Sequence, residues 1–265
     1  MKKHVLENFN ELAGIYEKMG DANNLYNTQY ERPAMMQHIP LTMEGMRGLD
    51  AGCSAGWYSK QLADRGAQVT AVDLSPEMVN AAQKLLGEKV EALCLDLEEP
   101  LPFDDHRFDF IVSSLTLHYL KDWQGVFSEF SRVLKPGGSF LLSIHHPLTD
   151  LQLLDDAHYF STELIVDQWN KAGKIYNMPF YRRPLSEILN TLLNYFSIEQ
   201  VIEPIPTAQF KELAPEQYER LLKSPNFLIL KVRKNKKQNN PPLGTTKWGD
   251  FMFHSSLLHM QRSHS

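Results

Sequence analysis

Residues 49–59 read Leu-Asp-Ala-Gly-Cys-Ser-Ala-Gly-Trp-Tyr-Ser, and the fold prediction starts from this stretch. The pattern predicts a short buried strand that ends at Asp50, a turn from Gly52 to Gly56, and a helix that begins near Trp57. A helix N-terminus presents unpaired N–H groups, and glycine lets the backbone approach a ligand closely. The stretch therefore predicts a turn that binds a polar or anionic group, although an ordinary strand-to-helix turn has the same outline.

Asp50 indicates which ligand such a turn would bind. Dinucleotide-binding turns read Gly-x-Gly-x-x-Gly and hold a pyrophosphate. Here a carboxylate precedes the turn, and Ser54 stands where a middle glycine is expected. The carboxylate would repel a pyrophosphate and attract a ligand ammonium. A nicotinamide-dependent reductase is therefore disfavoured, and it is kept as an alternative.

The chain after this turn alternates between predicted strands and helices. Further strands are predicted at residues 68–72, 90–95, 108–113, 139–144, 196–203 and 227–232. Helices are predicted at residues 76–86, 123–134 and 185–195. This alternation predicts an α/β fold with a mostly parallel seven-stranded sheet and helices on both faces. A ligand would lie across the carboxyl ends of the strands.

Two acidic residues follow predicted strands. Asp73 ends the second strand, 17 residues after Gly56, where a carboxylate can accept hydrogen bonds from both hydroxyls of a ribose. Asp96 ends the third strand, where it can accept from an adenine amino group while Leu97 packs on the ring. The alternatives are a helix-capping aspartate before Ser75 and an ordinary loop aspartate.

Taken together, these positions resemble the class I S-adenosylmethionine (SAM)-dependent methyltransferases, and within them the small-molecule enzymes of the methyltransferase type 11 group. The resemblance covers about residues 49–144, and the match departs at Ser54. The residues and stretches that carry it are Asp50, Gly52, Gly56, Asp73, Asp96, Phe108-Asp109-Phe110-Ile111-Val112-Ser113 and Leu134-Lys135-Pro136-Gly137-Gly138-Ser139-Phe140. It implies a Rossmann-like fold in which the final strand runs antiparallel to the rest.

The resemblance also implies roles for single residues. Those expected to bind the cofactor are Asp50, Gly52 and Gly56 at the methionine part, Asp73 and Leu74 at the ribose, Asp96 and Leu97 at the adenine, Ser113 near the sulfonium, and Tyr16 from a segment folded over the cofactor. Tyr16 could instead simply pack on the core. The implied reaction transfers a methyl group from SAM to a small-molecule acceptor by in-line displacement and releases S-adenosylhomocysteine. A noncatalytic SAM-binding or regulatory protein stays as an alternative.

Two histidines are candidates for catalysis. His118 follows the fourth strand and His145 the fifth, where a base could reach an acceptor hydroxyl. Either could instead be a packed structural histidine. A metal site can also be drawn from His145, His146, Asp155, Asp156 and His158, but its spacing fits no standard zinc pattern, so we predict no metal.

The pattern divides the chain into three parts. Residues 1–45 are predicted to form an N-terminal helical cap, and residues 46–234 the methyltransferase domain. An aromatic-rich insertion at 145–183 is predicted to be a substrate lid. Residues 235–265 are predicted to be a flexible tail, in which residues 251–258 could dock on a neighbouring protein.

Composition and charge indicate which kinds of binding partner and which cellular location are expected. The 265 residues carry a formal net charge of −5 and a pI near 6.1, so the basic field of a nucleic-acid-binding protein is not expected. The apolar runs stay short of the ~18 residues that span a membrane. The first ten residues lack the apolar region of a secretory signal. A cytoplasmic protein with a small-molecule acceptor is expected, and its oligomeric state stays open.

Overall fold

A seven-stranded sheet with helices on both faces forms the centre of the computed structural model, which describes residues 1–19, 24–154, 156 and 158–235. The strands are β1 (Arg47–Ala51), β2 (Gln68–Asp73), β3 (Glu91–Cys94), β4 (Phe108–Ser114), β5 (Leu134–His145), β6 (Glu163–Lys171), β7 (Lys174–Arg182), β8 (Phe196–Ile202) and β9 (Phe227–Lys234). The α-helices are α1 (Lys2–Met19), α2 (Arg32–Met36), α3 (Trp57–Asp64), α4 (Pro76–Leu86), α5 (Trp123–Val133), α6 (Pro147–Leu151), α7 (Leu185–Leu193), α8 (Ala208–Leu213) and α9 (Pro215–Lys223). A one-turn π-helix, Asn27–Glu31, and two 3₁₀ turns, Gly87–Lys89 and Leu117–Tyr119, complete the helical segments.

Two predictions fall on residues that are not described. The predicted tail lies outside the described residues apart from Asn235, and the proposed docking segment 251–258 lies wholly outside them. Asp155 of the rejected metal set lies outside them as well. Within the part that the structure describes, no helix has the length and apolar character needed to cross a membrane.

The strand order is β3-β2-β1-β4-β5-β9-β8. All neighbouring pairs are parallel except those of β9, which runs antiparallel to both β5 and β8. This confirms the predicted mostly parallel sheet and its antiparallel final strand. The carboxyl ends of β1 to β5 consequently meet along one edge of the sheet.

Buried side chains cover both faces of the sheet because neighbouring residues of a strand point to opposite faces. On β4, Ile111 joins the core that α5 and α7 cover, and Phe110 joins the core under α3 and α4. Gly48 of β1 leaves room for the Phe110 ring, since a Cβ at that glycine would lie 2.0 Å from the ring carbon Cζ. A strand buried on both faces explains why residues 108–113 read as an almost continuous apolar run.

The structure corrects one predicted boundary. The sequence predicts a helix at 123–134 and a strand at 139–144. Instead β5 begins at Leu134, which pairs with Phe108, and the register of the two strands shifts before the next pair. Gly137 has a φ of +75°, so the irregularity is a bulge that glycine allows, and the strand continues through it.

The aromatic insertion folds as the short helix α6 and the antiparallel hairpin β6–β7. The hairpin was not predicted from the sequence. Ala172 and Gly173 connect its strands with φ values of +50° and +80°, as a tight two-residue hairpin turn requires. Helix α1 packs against it, and Asn8 Nδ2 donates to the Asn177 carbonyl over 2.7 Å. Both elements contribute side chains to the cavity described next.

Candidate functional site

A cavity of about 540 Å³ lies at the carboxyl ends of the sheet strands. Its walls come from the ends of β1, β2 and β4, from the segments after β3 and β4, from α1 and from the hairpin strand β6. Most of the residues singled out in the sequence line this cavity; those that do so are Tyr16, Asp50, Gly52, Asp73, Leu74, Asp96, Leu97, His118 and His145. Ser113 and Gly56 are not among its lining residues.

Asp50 is a buried carboxylate at the end of β1. Only 1% of the residue is exposed, and Ser59 Oγ donates to its Oδ2 over 2.5 Å. Burial raises the pKa of Asp50 to about 7, and the negative charge of the neighbouring Asp73 raises it further. The hydrogen bond from Ser59 lowers the pKa, but its effect is smaller than that of burial. A carboxylate held in this way offers a cation a strong partner.

The turn after β1 depends on left-handed backbone conformations. Gly52 has a φ of +85°, and a Cβ there would lie 2.2 Å from Thr116 Oγ1. Ser54, which replaces the expected middle glycine, also adopts a positive φ, of +49°. Its N–H donates to Asp73 Oδ2 over 2.9 Å, so the turn and the end of β2 hold each other in place.

Gly52→Ala is expected to destabilise the protein by about 2–5 kcal/mol, since it combines a left-handed backbone with a collision against Thr116. Gly14→Ala is the matched control: nothing lies within 4 Å of a Cβ at Gly14, inside α1, so this variant should be neutral or gain up to ~1 kcal/mol. Urea unfolding measures both. Equal stability of Gly52→Ala and the wild type would show that the turn does not need glycine there.

Gly56 does not face the cavity. Its φ is +88°, and a Cβ there would lie 2.9 Å from Leu86 Cδ1 and 3.2 Å from Ala82 Cβ, both on α4. The structure therefore gives Gly56 a packing reason: it begins α3 and brings that helix against α4.

Asp73 and Asp96 lie at neighbouring strand ends. Asp73 accepts from the N–H groups of Ser54 and Ser75, each over 2.9 Å, and burial raises its pKa. The residue that caps α4 is Ser75, whose side chain accepts from an N–H of the first turn, and not Asp73. Asp96 Oδ2 lies 2.7 Å from Lys2 Nζ, which ties α1 to the cavity wall. This ion pair was not predicted.

The hydroxyl of Ser113 is committed elsewhere. It is fully buried, and its Oγ donates to the Ala51 carbonyl over 2.8 Å. The next residue, Ser114, lines the cavity instead. The reason is the period of two in a strand: the choice between neighbouring residues depends on which face points to the site.

Glu31 is a cavity residue that the sequence analysis missed. It is 1% exposed; its Oε1 accepts from Ser114 Oγ (2.8 Å) and Ser143 Oγ (2.6 Å), and its Oε2 accepts from Tyr58 Oη (2.8 Å). Burial raises its pKa against these three hydrogen bonds. Glu31 thus ties the segment before α2 to β4, β5 and α3. It belongs to no motif, so no sequence signal marked it.

The two candidate histidines lie together. His118, 3% exposed, lies on the 3₁₀ turn after β4 and stacks on His145, with ring centroids 4.1 Å apart and planes 19° apart. Neither ring nitrogen of His118 has a hydrogen-bond partner among the described residues. Burial lowers the pKa of His118 well below its usual value and that of His145 to about 4, so both rings are neutral near pH 7.

Comparisons with known proteins identify a related family. Residues 49–142 match the family model described as a methyltransferase domain. The chain is 32% identical over 152 residues to the biotin biosynthesis bifunctional protein BioHC of Cellvibrio japonicus, and 33% identical over 137 residues to the malonyl-[acyl-carrier protein] O-methyltransferase of Erwinia billingiae. These alignments cover 57% and 52% of the chain but only 29% and 49% of the relatives, so the chain spans at most about half the length of either.

A solved structure extends the likeness to most of the fold. It comes from Mesorhizobium loti and is described as an S-adenosylmethionine-dependent methyltransferase; it superposes with a TM-score of 0.62 at 27% identity, covering 77% of this chain and 97% of that one. Residues 49–142 are a class I SAM-dependent methyltransferase domain. SAM is the cofactor of this family.

The cavity of this methyltransferase fits such a cofactor. SAM carries an ammonium and a sulfonium, and the buried carboxylate Asp50 and the half-buried carboxylate Asp73 both line the cavity. Gly52 has no side chain, so the backbone of the turn is accessible from the cavity. Among the described residues, no three His, Cys, Asp or Glu side chains come together as a metal site.

Proposed function

We propose that this methyltransferase transfers a methyl group from SAM to an O–H or N–H group of a small-molecule acceptor and releases S-adenosylhomocysteine. The observation that carries the proposal is that one cavity contains the buried carboxylate Asp50, the half-buried carboxylate Asp73 and a buried histidine, His118, whose ring nitrogens have no partner among the described residues. The two carboxylates suit a cationic nucleoside such as SAM. The histidine suits a second molecule that reacts with it.

The proposed cofactor contacts follow from the ends of β1, β2 and β3. Asp50 holds the ammonium, and the backbone of the turn at Gly52 lies beside the methionine part. Asp73 accepts from the ribose hydroxyls, and Leu74 lies next to it. The N–H groups of Ser54 and Ser75 already donate to the Asp73 carboxylate and hold it in position for this contact. Leu97, which is 6% exposed and lines the cavity, packs against the adenine.

Two further contacts close the proposed cofactor site. Asp96 accepts from the adenine amino group while it stays paired with Lys2. Tyr16 covers the cofactor from α1 and lines the same cavity. The pairing of Lys2 with Asp96 also holds the first turn of α1 over the adenine end.

His118 is proposed to bind and deprotonate the acceptor. SAM supplies an electrophilic methyl group on a sulfonium. As the acceptor oxygen or nitrogen forms its bond to that methyl carbon, the carbon–sulfur bond breaks and its electron pair stays on sulfur. The acceptor atom gains positive charge and its proton becomes strongly acidic, so even the weakly basic neutral ring of His118 can take that proton.

The acceptor is proposed to be planar or apolar. The wall near His118 includes the rings of Phe9, Tyr119 and Trp169. Phe9 lies between the other two, with ring centroids 5.3 Å from Tyr119 and 6.5 Å from Trp169, both edge to face. Such rings offer a flat acceptor a large apolar contact area.

SAM affinity is expected to depend on pH through Asp50. Burial raises the pKa of Asp50 to about 7, so below that pH an ammonium must displace a bound proton. The SAM association constant should rise by up to about tenfold per pH unit from about pH 5 to 7 and level off above it. Calorimetry in buffers of different ionisation enthalpy should detect proton release at pH 6 and none at pH 8.

Asp50→Asn is the matched variant for this pH dependence. It should bind SAM more weakly at pH 8 and show a smaller rise with pH. A smaller slope is expected to remain, since burial also raises the pKa of Asp73 in the same cavity. A wild-type affinity that stays constant from pH 5 to 8 would contradict the proposed contact between Asp50 and the ammonium.

Binding and label transfer test the proposed function directly. SAM and S-adenosylhomocysteine are expected to bind with micromolar dissociation constants, and NADH is expected not to bind. Isotope-labelled methyl groups from SAM should then appear in a small-molecule fraction of a metabolite library. Binding without any transfer would support the noncatalytic alternative, and NADH binding in place of SAM would support a reductase.

A further inference from the structure

Asp167 is a half-buried carboxylate on β6, in the wall of the large cavity. Its Oδ2 accepts from Trp169 Nε1 over 2.9 Å, and its Oδ1 accepts from the Gln168 N–H over 2.8 Å. Both donors are neutral. Among the described residues, no lysine, arginine or histidine forms an ion pair with Asp167. A carboxylate without a cationic partner in the wall of a cavity attracts a cation into that cavity.

Three aromatic rings line the cavity together with Asp167. Phe9 lies between Trp169 and Tyr119 and contacts each of them edge to face, with ring planes 80° and 85° apart. All three residues are half-buried, so part of each remains accessible. The face of an aromatic ring is electronegative and attracts cations, and tryptophan does so most strongly. The rings and the carboxylate therefore favour the same ligand charge.

The carboxylate and the rings form a closed circle of neighbours. Asp167 bonds to Trp169, Trp169 contacts Phe9, and Phe9 contacts Tyr119. The circle closes electrostatically: burial raises the pKa of Tyr119 well above its usual value, and the neighbouring charges of Tyr16 and Asp167 raise it further. Asp167, Trp169, Phe9 and Tyr119 thus surround one part of the cavity, and we refer to these four residues as the aromatic site.

Lys171 and Arg32 also line the large cavity. Lys171 lies four residues beyond Asp167 on β6, which is roughly 13 Å along an extended strand. The Arg32 guanidinium lies over the Trp57 ring, 4.2 Å from the ring centre. Neither cation forms an ion pair with Asp167, so the charge of this carboxylate stays available to a ligand.

We propose that the aromatic site binds an ammonium group of the acceptor, so that the acceptor is an amine. The existence of an acceptor rests on the proposed function. The ammonium is an anchor, and a separate O–H or N–H group of the same molecule reacts. His118 lies next to the site, because its ring centroid is 4.3 Å from that of Tyr119. The carbon atoms bonded to the ammonium nitrogen contact the ring faces, and the charge interacts with Asp167 and with the rings.

Choline is the probe for the aromatic site, because it carries a permanent ammonium charge surrounded by methyl groups. Its control is the neutral analogue in which a carbon atom replaces the nitrogen, since this compound has the same shape without the charge. Calorimetry compares the two compounds on the free protein and on its complex with S-adenosylhomocysteine. Choline is expected to bind at least about tenfold more tightly than the neutral analogue in both states.

Asp167→Asn is the main variant, because it removes the charge and keeps the size of the side chain. The preference for choline should fall by about tenfold, and the affinity for S-adenosylhomocysteine should stay within about twofold. Trp169→Leu should weaken choline binding as well and is checked for folding by its melting temperature. Glu11→Gln is the control: Glu11 pairs with Lys174 of the hairpin but does not line the cavity, so the preference should stay unchanged.

The acceptor found by label transfer provides a second test. Its labelled product is expected to carry an amino group and to be retained on a cation-exchange resin at pH 7. Asp167→Asn should raise KM for this acceptor by about tenfold and leave kcat within about twofold, because Asp167 binds the anchor and not the reacting atoms.

Equal affinities of choline and its neutral analogue for the wild type, or no binding of either, would overturn the proposal. An unchanged preference in both Asp167→Asn and Trp169→Leu would do the same. Displacement of choline by S-adenosylhomocysteine would assign the aromatic site to the cofactor instead. A labelled product without an amino group would overturn the amine acceptor and leave the proposed function standing. Choline binding in a protein that transfers no methyl group would overturn the proposed function and leave the ammonium site standing.

Discussion

His118→Ala is expected to lower the turnover number by about 10²–10⁴-fold, because it removes the group proposed to bind and deprotonate the acceptor. The dissociation constant for SAM should stay within about twofold, since His118 lies at the ends of β4 and β5 and the proposed cofactor contacts lie at β1 to β3. The measurement is steady-state kinetics with the acceptor found by label transfer, alongside calorimetry with SAM.

A histidine far from the cavity provides the control for this substitution. His106 precedes β4 at the opposite edge of the sheet, and its Nδ1 lies 3.1 Å from the Leu134 carbonyl. His106→Ala should keep both turnover and SAM affinity. His145→Ala should lower turnover less than His118→Ala, because His145 contacts the His118 ring by stacking. Unchanged turnover in both cavity variants would remove the general-base proposal.

Asp73→Ala is expected to weaken SAM binding by about 10²–10⁴-fold. The proposed contacts to two ribose hydroxyls are hydrogen bonds to a charged acceptor, each worth about 1.5–3 kcal/mol when a partner is lost. The variant also removes the acceptor for the N–H groups of Ser54 and Ser75, which loosens the turn that lines the cofactor site. Calorimetry with SAM and with S-adenosylhomocysteine measures the effect, and both ligands should lose affinity because they share the ribose.

Asp109→Ala is the matched control for Asp73. This aspartate also accepts a backbone N–H, from Arg47, and it accepts from Lys135 Nζ, but it lies at the amino end of β4. The control should change melting temperature more than SAM affinity. If Asp73→Ala binds SAM as tightly as the wild type while it remains folded, Asp73 does not contact the ribose.

Local sequence patterns were sufficient for the architecture. The alternation of apolar runs with helical stretches predicted the seven-stranded sheet, and the helix predicted at 76–86 is α4. The glycine turn at 52–56 was also readable, because a left-handed backbone restricts the residue type at each such position. These features depend on interactions within a few residues, so the residues that specify them are adjacent in the sequence.

The positions of residues along the predicted strands were sufficient to predict which acidic residues line the cavity at the ends of β1, β2 and β3. Carboxyl ends of parallel strands must meet at one edge, so acidic residues at the ends of β1, β2 and β3 were expected in one cavity, and Asp50, Asp73 and Asp96 do line it. The roles of these residues towards SAM stay predictions.

The sequence by itself determined the sheet, its glycine turn and the cavity edge, while only the tertiary structure decided which side chains meet there. Glu31 accepts hydrogen bonds from Ser114 and Ser143, which are 83 and 112 residues away in the chain. Arg183 reaches the carbonyl of Leu120 across 63 residues. Contacts over such separations leave no local pattern, because they depend on how the loops and the hairpin close over the sheet. The tertiary structure also decided which face of β4 meets the cavity: Ser113 was expected there, and the structure places its neighbour Ser114 in the cavity wall.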